Sequence, residues 1–131
     1  MGVFVDTSAL YAALSASDCQ HQAAGQIWTA LSHDQEALFT SNYVVLETIA
    51  LVGHRMGPQA VRDFQTRLVP LLRVHWVGES LHERAVSALM TAGDTLSLVD
   101  CVSFETMRLL GLDTALAFDA HFERQGFRCI P

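Results

Sequence analysis

The sequence predicts an α/β protein with a short-stranded parallel sheet that is covered by helices. Short apolar runs alternate with longer stretches whose apolar residues recur at helical spacing. Continuous apolar runs are typical of strands that are buried on both faces of a parallel sheet. The chain has 131 residues, which suffices for one domain with a sizeable core. We therefore expect residues 1–131 to form a single domain.

The first half of the chain begins with a predicted strand over residues 2–5, an apolar run that ends at Asp6. Residues 7–16 are predicted to form a helix or a turn. Residues 19–32 are predicted to be helical because their apolar side chains recur three and four positions apart. A second short apolar run, residues 37–40, is the next strand.

The middle of the chain contains strong helix signals. Ser41-Asn42 is a good N-cap for a helix over residues 43–56. Gly57-Pro58 ends that helix and begins another, which is predicted to run to about residue 72. Residues 74–77 form the third predicted strand.

The last third of the chain is predicted to contain two long helices and two strands. Residues 81–91 form a helix, and Gly93-Asp94 interrupts the chain after it. Ser97 begins a helix that reaches Leu110 and ends at Gly111. The fourth and fifth predicted strands are residues 114–118 and 127–130.

The charge balance excludes a generic nucleic-acid binder. Fourteen acidic residues face eight basic ones, all of them Arg, which gives a formal net charge of −6. Generic binders are basic because neutralising phosphates supplies most of their non-specific affinity. Any nucleic acid must therefore be held locally, through metal ions or through a basic partner.

The sequence also indicates a cytoplasmic protein. No apolar stretch reaches the length that a membrane-spanning helix needs. The first sixteen residues contain Asp6 and no Lys or Arg, unlike a signal peptide. Cys19, Cys101 and Cys129 are scattered and form no CxxC pair, which fits reduced thiols in a reducing compartment.

Asp6 and Asp119 each follow a predicted strand directly. Ligand sites of parallel sheets lie beyond the carboxyl ends of the strands, so both residues are candidates for a functional site. Each also has a purely structural interpretation, since Asp is a common N-cap at the start of a helix.

Glu47 and Asp100 are acidic residues within predicted helices. The helical neighbours of Glu47 are apolar or aromatic, and a carboxylate on such a stripe is costly unless it is paired, protonated or bound to metal. The alternative is that Glu47 lies at the edge of the stripe and reaches water. Asp100 is flanked by Leu96 and Phe104, but it also forms a capping box with Ser97.

Several carboxylates at one edge of a sheet would repel one another, and a divalent cation would relieve this repulsion. Mg²⁺ is the natural choice, because it takes oxygen ligands and is often held by a few carboxylates together with substrate phosphate. An acidic pocket filled by Mg²⁺ attracts the phosphates of RNA, which resolves the conflict with the overall negative charge.

Four motifs occur in order along the chain. They are VDTSAL at residues 5–10, YVVLET at 43–48, SLVDCVSF at 97–104 and AFDAHF at 117–122. With Gly126-Phe127 near the end, they resemble the PIN-domain family, specifically its VapC-type bacterial toxins. The resemblance covers essentially the whole chain.

This resemblance implies a three-layer α/β/α PIN-like fold, Mg²⁺ binding with Mn²⁺ as a substitute, and hydrolysis of RNA phosphodiester bonds. Asp6 and Asp100 would be the principal metal ligands. Asp119 would be a further ligand, direct or through water, and Glu47 would complete the catalytic set by orienting the attacking water.

The resemblance also implies supporting residues and partners. The hydroxyls of Ser8 and Ser97 would support the metal ligands by hydrogen bonding, although Ser97 also fits a helix cap alone. VapC-type toxins are homodimers, and a cognate antitoxin inhibits them by blocking the acidic pocket.

Other functions stay open at the level of sequence. The fold could serve as a catalytically silent module that binds metal or a partner, or it could cleave DNA. A phosphatase that forms an aspartyl-phosphate on Asp6 commonly carries a second Asp two residues later, where this chain has Ser8. His121 could contact a phosphate, but support of the local turn is favoured. For the arginines at 55, 62, 67 and 73, a solvated helical face is favoured over RNA contact.

Overall fold

Strands and helices alternate along the chain in the computed structural model, which describes residues 2–93 and 95–131. The strands are β1 (Gly2–Val5), β2 (Ala37–Ser41), β3 (Arg73–His75), β4 (Thr114–Leu116) and β5 (Arg128–Ile130). The α-helices are α1 (Thr7–Leu14), α2 (His21–His33), α3 (Asn42–Met56), α4 (Pro58–Asp63), α5 (Glu79–Ala92), α6 (Leu98–Leu110) and α7 (His121–Arg124). The sequence predicted an interruption at Gly93-Asp94, of which Asp94 lies outside the described residues.

The strands form one sheet in the order β3-β2-β1-β4-β5, and every neighbouring pair is parallel. β1 is the central strand, and its residues Val3, Phe4 and Val5 are buried. The predicted α/β fold class with a short-stranded parallel sheet is therefore confirmed.

The strand order reverses at β1. The chain adds β2 and β3 on one side of β1, and it then returns to add β4 and β5 on the other side. Just beyond β1, the Asp6 N–H donates to the Leu116 carbonyl of β4 at 3.0 Å. The carboxyl ends of β1 and β4 are thus adjacent, and this reversal point is where parallel α/β sheets bind their ligands.

The helices pack in contact with one another and with the sheet. α1 contacts α2 and α3, α3 contacts α6, and α5 packs along α6. The main core joins the sheet to helical residues such as Leu10, Val44 and Phe104. A smaller apolar cluster lies between α5 and α6. Among the described residues, no helix is both long and apolar enough to cross a membrane.

The helix predicted over residues 58–72 is wrong in its second half. α4 ends at Asp63, after which Phe64–Leu68 is π-helical and Val69–Leu71 is a 3₁₀ turn. The Val69 N–H donates to the Phe64 carbonyl, five residues back. Pro70 has no N–H with which an α-helix could continue.

Two strands end earlier than predicted, and in each case a side chain accepts a hydrogen bond from the backbone N–H two residues beyond the strand. β3 ends at His75, and the Val77 N–H donates to Asn42 Oδ1 at 2.7 Å. β4 ends at Leu116, and the Phe118 N–H donates to Ser8 Oγ at 3.0 Å. Asp119 therefore lies three residues beyond its strand, whereas the prediction that it follows the strand directly was wrong.

Phe122 lies at the centre of an aromatic cluster and is fully buried. Its ring centroid is 6.3 Å from that of Phe4, 5.0 Å from Phe104 and 6.4 Å from Phe127. Because Phe122→Ala leaves a cavity, we expect the free energy of unfolding in urea to fall by about 3–5 kcal/mol. Leu109→Ala, at an exposed position, should change it by less than about 0.5 kcal/mol. Equal losses at both positions would contradict a core role for Phe122.

Candidate active site

Asp6 lies directly beyond the carboxyl end of the central strand and is the N-cap of α1. Its Oδ2 accepts hydrogen bonds from the Ser8 hydroxyl at 2.8 Å and from the Ser8 backbone N–H at 3.3 Å. The residue is only 4% exposed. An N-cap needs its hydrogen bond but not burial. The cap interpretation is therefore correct and does not explain why this carboxyl group is enclosed.

Ser8 joins the ends of two neighbouring strands. Its hydroxyl donates to Asp6 after β1 and accepts from the Phe118 N–H after β4. One side chain thus fixes both the carboxylate of Asp6 and the backbone just before Asp119. Ser8 was predicted as a supporting hydroxyl, and the structure places it in direct contact with Asp6.

Burial raises the pKa of Asp6 from 3.8 to about 7. The Ser8 hydrogen bonds oppose this shift because they stabilise the charged form, whereas the negative charges of Asp119 and Asp100 raise the pKa further. Coulombic effects weaken with distance. The structure therefore places two of the other three predicted acids, Asp100 and Asp119, within electrostatic reach of Asp6.

Asp100 and Ser97 form the predicted capping box at the start of α6. The Asp100 N–H donates to Ser97 Oγ at 3.1 Å, and the Ser97 N–H donates to Asp100 Oδ2 at 3.1 Å. Asp100 is half-buried and Ser97 is exposed. Asp100 thus acts as a helix cap and also contributes negative charge to the surroundings of Asp6.

Asp119 is half-buried in the loop that follows β4. Its Oδ1 accepts a hydrogen bond from the backbone N–H of His121 at 3.0 Å. The backbone of His121 therefore supports the turn, whereas the role of its imidazole stays a prediction. A cavity of about 320 Å³ opens beside Asp119, with Gln20 and Glu123 on its walls.

Glu47 lies on α3 and is half-buried. It is not among the groups that shift the pKa of Asp6, so it is less closely coupled to Asp6 than the other two acids are. The next residue, Thr48, is fully buried and donates to Thr7 Oγ1 at 3.3 Å. This contact ties the helix of Glu47 to the start of α1 beside Asp6. The sequence reasoning missed it, and the only available signal was a threonine within an apolar helix.

The donor set fits a hard divalent cation by its chemistry. Asp6, Asp100 and Asp119 offer carboxylate oxygens, and their mutual repulsion is the kind that such a cation relieves. Within residues 2–93 and 95–131, no three His, Cys, Asp or Glu side chains are grouped closely enough to hold an ion as they stand. The acids are thus neighbours, but not a closed ligand cage.

The sequence model of the PIN domain matches residues 3–128. The chain belongs to the PIN-domain family.

A relative within this PIN-domain family is the 23S rRNA-specific endonuclease VapC20 of Mycobacterium tuberculosis. It is 36% identical over 127 residues, which are 95% of each chain. The crystal structure of VapC20, a sarcin-ricin loop cleaving toxin, matches with a TM-score of 0.86 and 34% identity over 96% of both chains. These matches confirm the predicted VapC-type PIN domain.

A more distant likeness shows the fold alone. FitAcB from Neisseria gonorrhoeae matches this PIN domain with a TM-score of 0.69 at 16% identity. The match covers 98% of this chain and 96% of the FitAcB chain.

The raised pKa of Asp6 predicts a pH-dependent stability in metal-free buffer. The folded state binds a proton at Asp6 more tightly than the unfolded chain does, so this group destabilises the wild type as pH rises from about 4 to about 7. Asp6→Asn is uncharged throughout. Its free energy of unfolding in urea should therefore exceed that of the wild type by a margin that grows to pH 7 and then levels off. Asp113→Asn, at an exposed acid, is the control, and a pH-independent margin for Asp6→Asn would contradict the shift.

Proposed function

We propose that this PIN domain is a magnesium-dependent endoribonuclease and the toxin of a VapBC-type toxin–antitoxin pair. The observation that carries the proposal is the buried Asp6, which is electrostatically coupled to Asp100 and Asp119 at the reversal point of the sheet. Kinship with VapC20, an RNA endonuclease, supports RNA as the substrate.

Each acid has a role in this proposal. Asp6, Asp100 and Asp119 would hold Mg²⁺, or Mn²⁺ in its place. A bound divalent ion supplies Lewis-acid polarisation of a phosphoryl oxygen and lowers the pKa of water. Ser8 donates to Asp6 and so stabilises its ionised, ligating form. Glu47, held on α3, accepts a hydrogen bond from the attacking water and orients it towards phosphorus.

We propose 23S ribosomal RNA as the target. The support is the 36% identity to VapC20, whose name states that specificity, together with coverage of 95% of both chains. The reaction is hydrolysis: the water oxygen bonds to phosphorus and gives up one proton, the bond from phosphorus to the leaving ribose oxygen breaks, and that oxygen takes up one proton.

The test compares purified wild type, Asp6→Asn and Asp100→Asn on total RNA with Mg²⁺ or with chelator. The wild type should cut 23S RNA only with Mg²⁺, and each variant should lose at least about 100-fold in rate, because it loses a ligand carboxylate. Circular dichroism should show that both variants stay folded.

Asp113→Asn is the matched control. Asp113 directly precedes β4 and therefore lies at the opposite edge of the sheet, so its variant should cleave at the wild-type rate. Undiminished cleavage by folded Asp6→Asn would show that the site is misassigned. Wild-type cleavage that survives chelation would contradict the metal requirement.

We further propose that the protein acts in the cytoplasm as a homodimer under the control of a cognate antitoxin. A face between α3 and β3 suits a protein partner, because Leu46 is 68% exposed and Trp76 is 76% exposed. Both line a predominantly apolar cavity of about 460 Å³ together with Val45 and Ile49. Exposed apolar side chains grouped in this way are typical of interaction surfaces.

A second copy of the chain is the occupant that we expect on this face. The double variant Leu46→Glu, Trp76→Glu should weaken self-association at least about 10-fold in sedimentation equilibrium, because aromatic and apolar anchors dominate interfaces. Leu109→Glu, at an exposed leucine on α6, is the control. A double variant that dimerises as tightly as the wild type would exclude this face as the dimer interface.

A further inference from the structure

At the edge of the sheet that carries Asp6, the first turn of α3 makes two hydrogen bonds, one to the first turn of α5 and one to the loop between β3 and α5. The Tyr43 hydroxyl is hydrogen-bonded to His82 Nδ1, and the two rings lie 5.7 Å apart between centroids. Beside this pair, Asn42 Oδ1 accepts from the Val77 N–H at 2.7 Å. Neither bond takes part in the acid cluster, and the proposed function assigns no role to them.

The side chain of Tyr43 also packs against an apolar cluster that α5 shares with α6, the helix that carries Asp100. The buried members of this cluster include Cys101 and Val102. These two residues directly follow Asp100 in the chain. The position of Asp100 therefore depends on a cluster to which α3 contributes Tyr43.

The same tyrosine lies one helical turn from Glu47. Residues four apart on an α-helix share a face, at a rise of about 6 Å along the axis. Tyr43 is thus a neighbour both of the α3 segment that bears Glu47 and of the apolar cluster to which α6 contributes Cys101 and Val102.

We infer that the Tyr43–His82 hydrogen bond is a positioning contact that fixes the Asp100-bearing α6 relative to the Glu47-bearing α3. This inference rests on the proposed ribonuclease function. His82 holds the hydroxyl, the hydroxyl fixes the ring, and the ring packs against the cluster that contains Cys101 and Val102. Neither Tyr43 nor His82 touches the substrate in this arrangement.

Packing alone does not explain why position 43 carries a tyrosine hydroxyl. A phenylalanine at position 43 would fill the same space against the apolar cluster, so the polar atom is useful only through its partner. An imidazole nitrogen can accept from the hydroxyl or donate to it, so the link persists in either tautomer of His82.

The test uses Tyr43→Phe and His82→Leu, which each remove the bond, and His82→Asn, which keeps an acceptor near the Nδ1 position. Two readouts are compared with the wild type: kcat and KM on RNA, and Mn²⁺ binding by calorimetry without RNA. Tyr43→Phe and His82→Leu should each lower kcat about 10-fold and weaken Mn²⁺ binding about 10-fold, with KM nearly unchanged. His82→Asn should recover most of both losses.

The matched control is Tyr11→Phe, which makes the same change at the other tyrosine of the chain. It should leave kcat and Mn²⁺ binding at wild-type values. The double variant Tyr43→Phe, His82→Leu should be no worse than either single variant, because both remove one bond.

The outcomes separate this inference from the function on which it rests. Wild-type kcat and Mn²⁺ binding in folded Tyr43→Phe would overturn the positioning role, as would losses that add in the double variant. So would a loss confined to thermal stability, since that is all a merely structural bond would change. Absence of RNA cleavage by the wild type would overturn the proposed function, whereas the Mn²⁺ comparison would still decide whether the contact positions the acids.

Discussion

The enclosed carboxyl group at the end of the central strand is the constraint on which the rest of the site depends. β1 lies between β2 and β4, so the residue that follows it must enter the crevice where the strand order reverses. Burying a charge there is costly unless it is compensated. Ser8 compensates in part, whereas Asp100 and Asp119 add to the cost. A sequence selected for stability alone would not gather like charges around its most enclosed acid, so we attribute the arrangement to function.

Local sequence signals were sufficient to predict most of the fold. They also predicted the position of Asp6 after its strand and of Asp100 in its capping box. The apolar run before Asp6 and the Ser97–Asp100 capping box each operate within a few residues, and both are present. The hydrogen bond from Phe118 to Ser8 spans 110 residues, so no local pattern could have shown that β4 ends early and displaces Asp119. The π-helical segment after Asp63 was missed for a related reason, because tertiary packing overrides the local preference for an α-helix.

The distribution of charge limits how this protein can hold RNA. All eight arginines are exposed, and three of them lie over aromatic rings: Arg55 over Tyr11, Arg73 over Phe39 and Arg108 over Phe127. Exposure fits both a solvated face and RNA contact, so the interpretation of the arginines at 55, 62, 67 and 73 as a solvated helical face stays a prediction, and Arg73 lies on β3 rather than on a helix. Because its net charge is −6, the protein lacks the excess of basic side chains that would neutralise RNA phosphates over a broad surface. Under the proposed function, RNA affinity would therefore be concentrated at the few contacts that the acidic crevice and a bound cation would provide.

The same enclosed carboxyl group links the proposed metal chemistry to pH. Burial raises the pKa of Asp6 to about 7, so the metal-free protein binds a proton there at a higher pH than an exposed aspartate does. A cation that binds Asp6 must displace this proton, so its apparent affinity rises with pH up to about 7 and is constant above it. The proton and the cation relieve the same repulsion from Asp100 and Asp119, which makes them competitors for one role. Hydrogen bonding from Ser8 favours the ionised form in both cases, so Ser8 shifts that competition towards the cation.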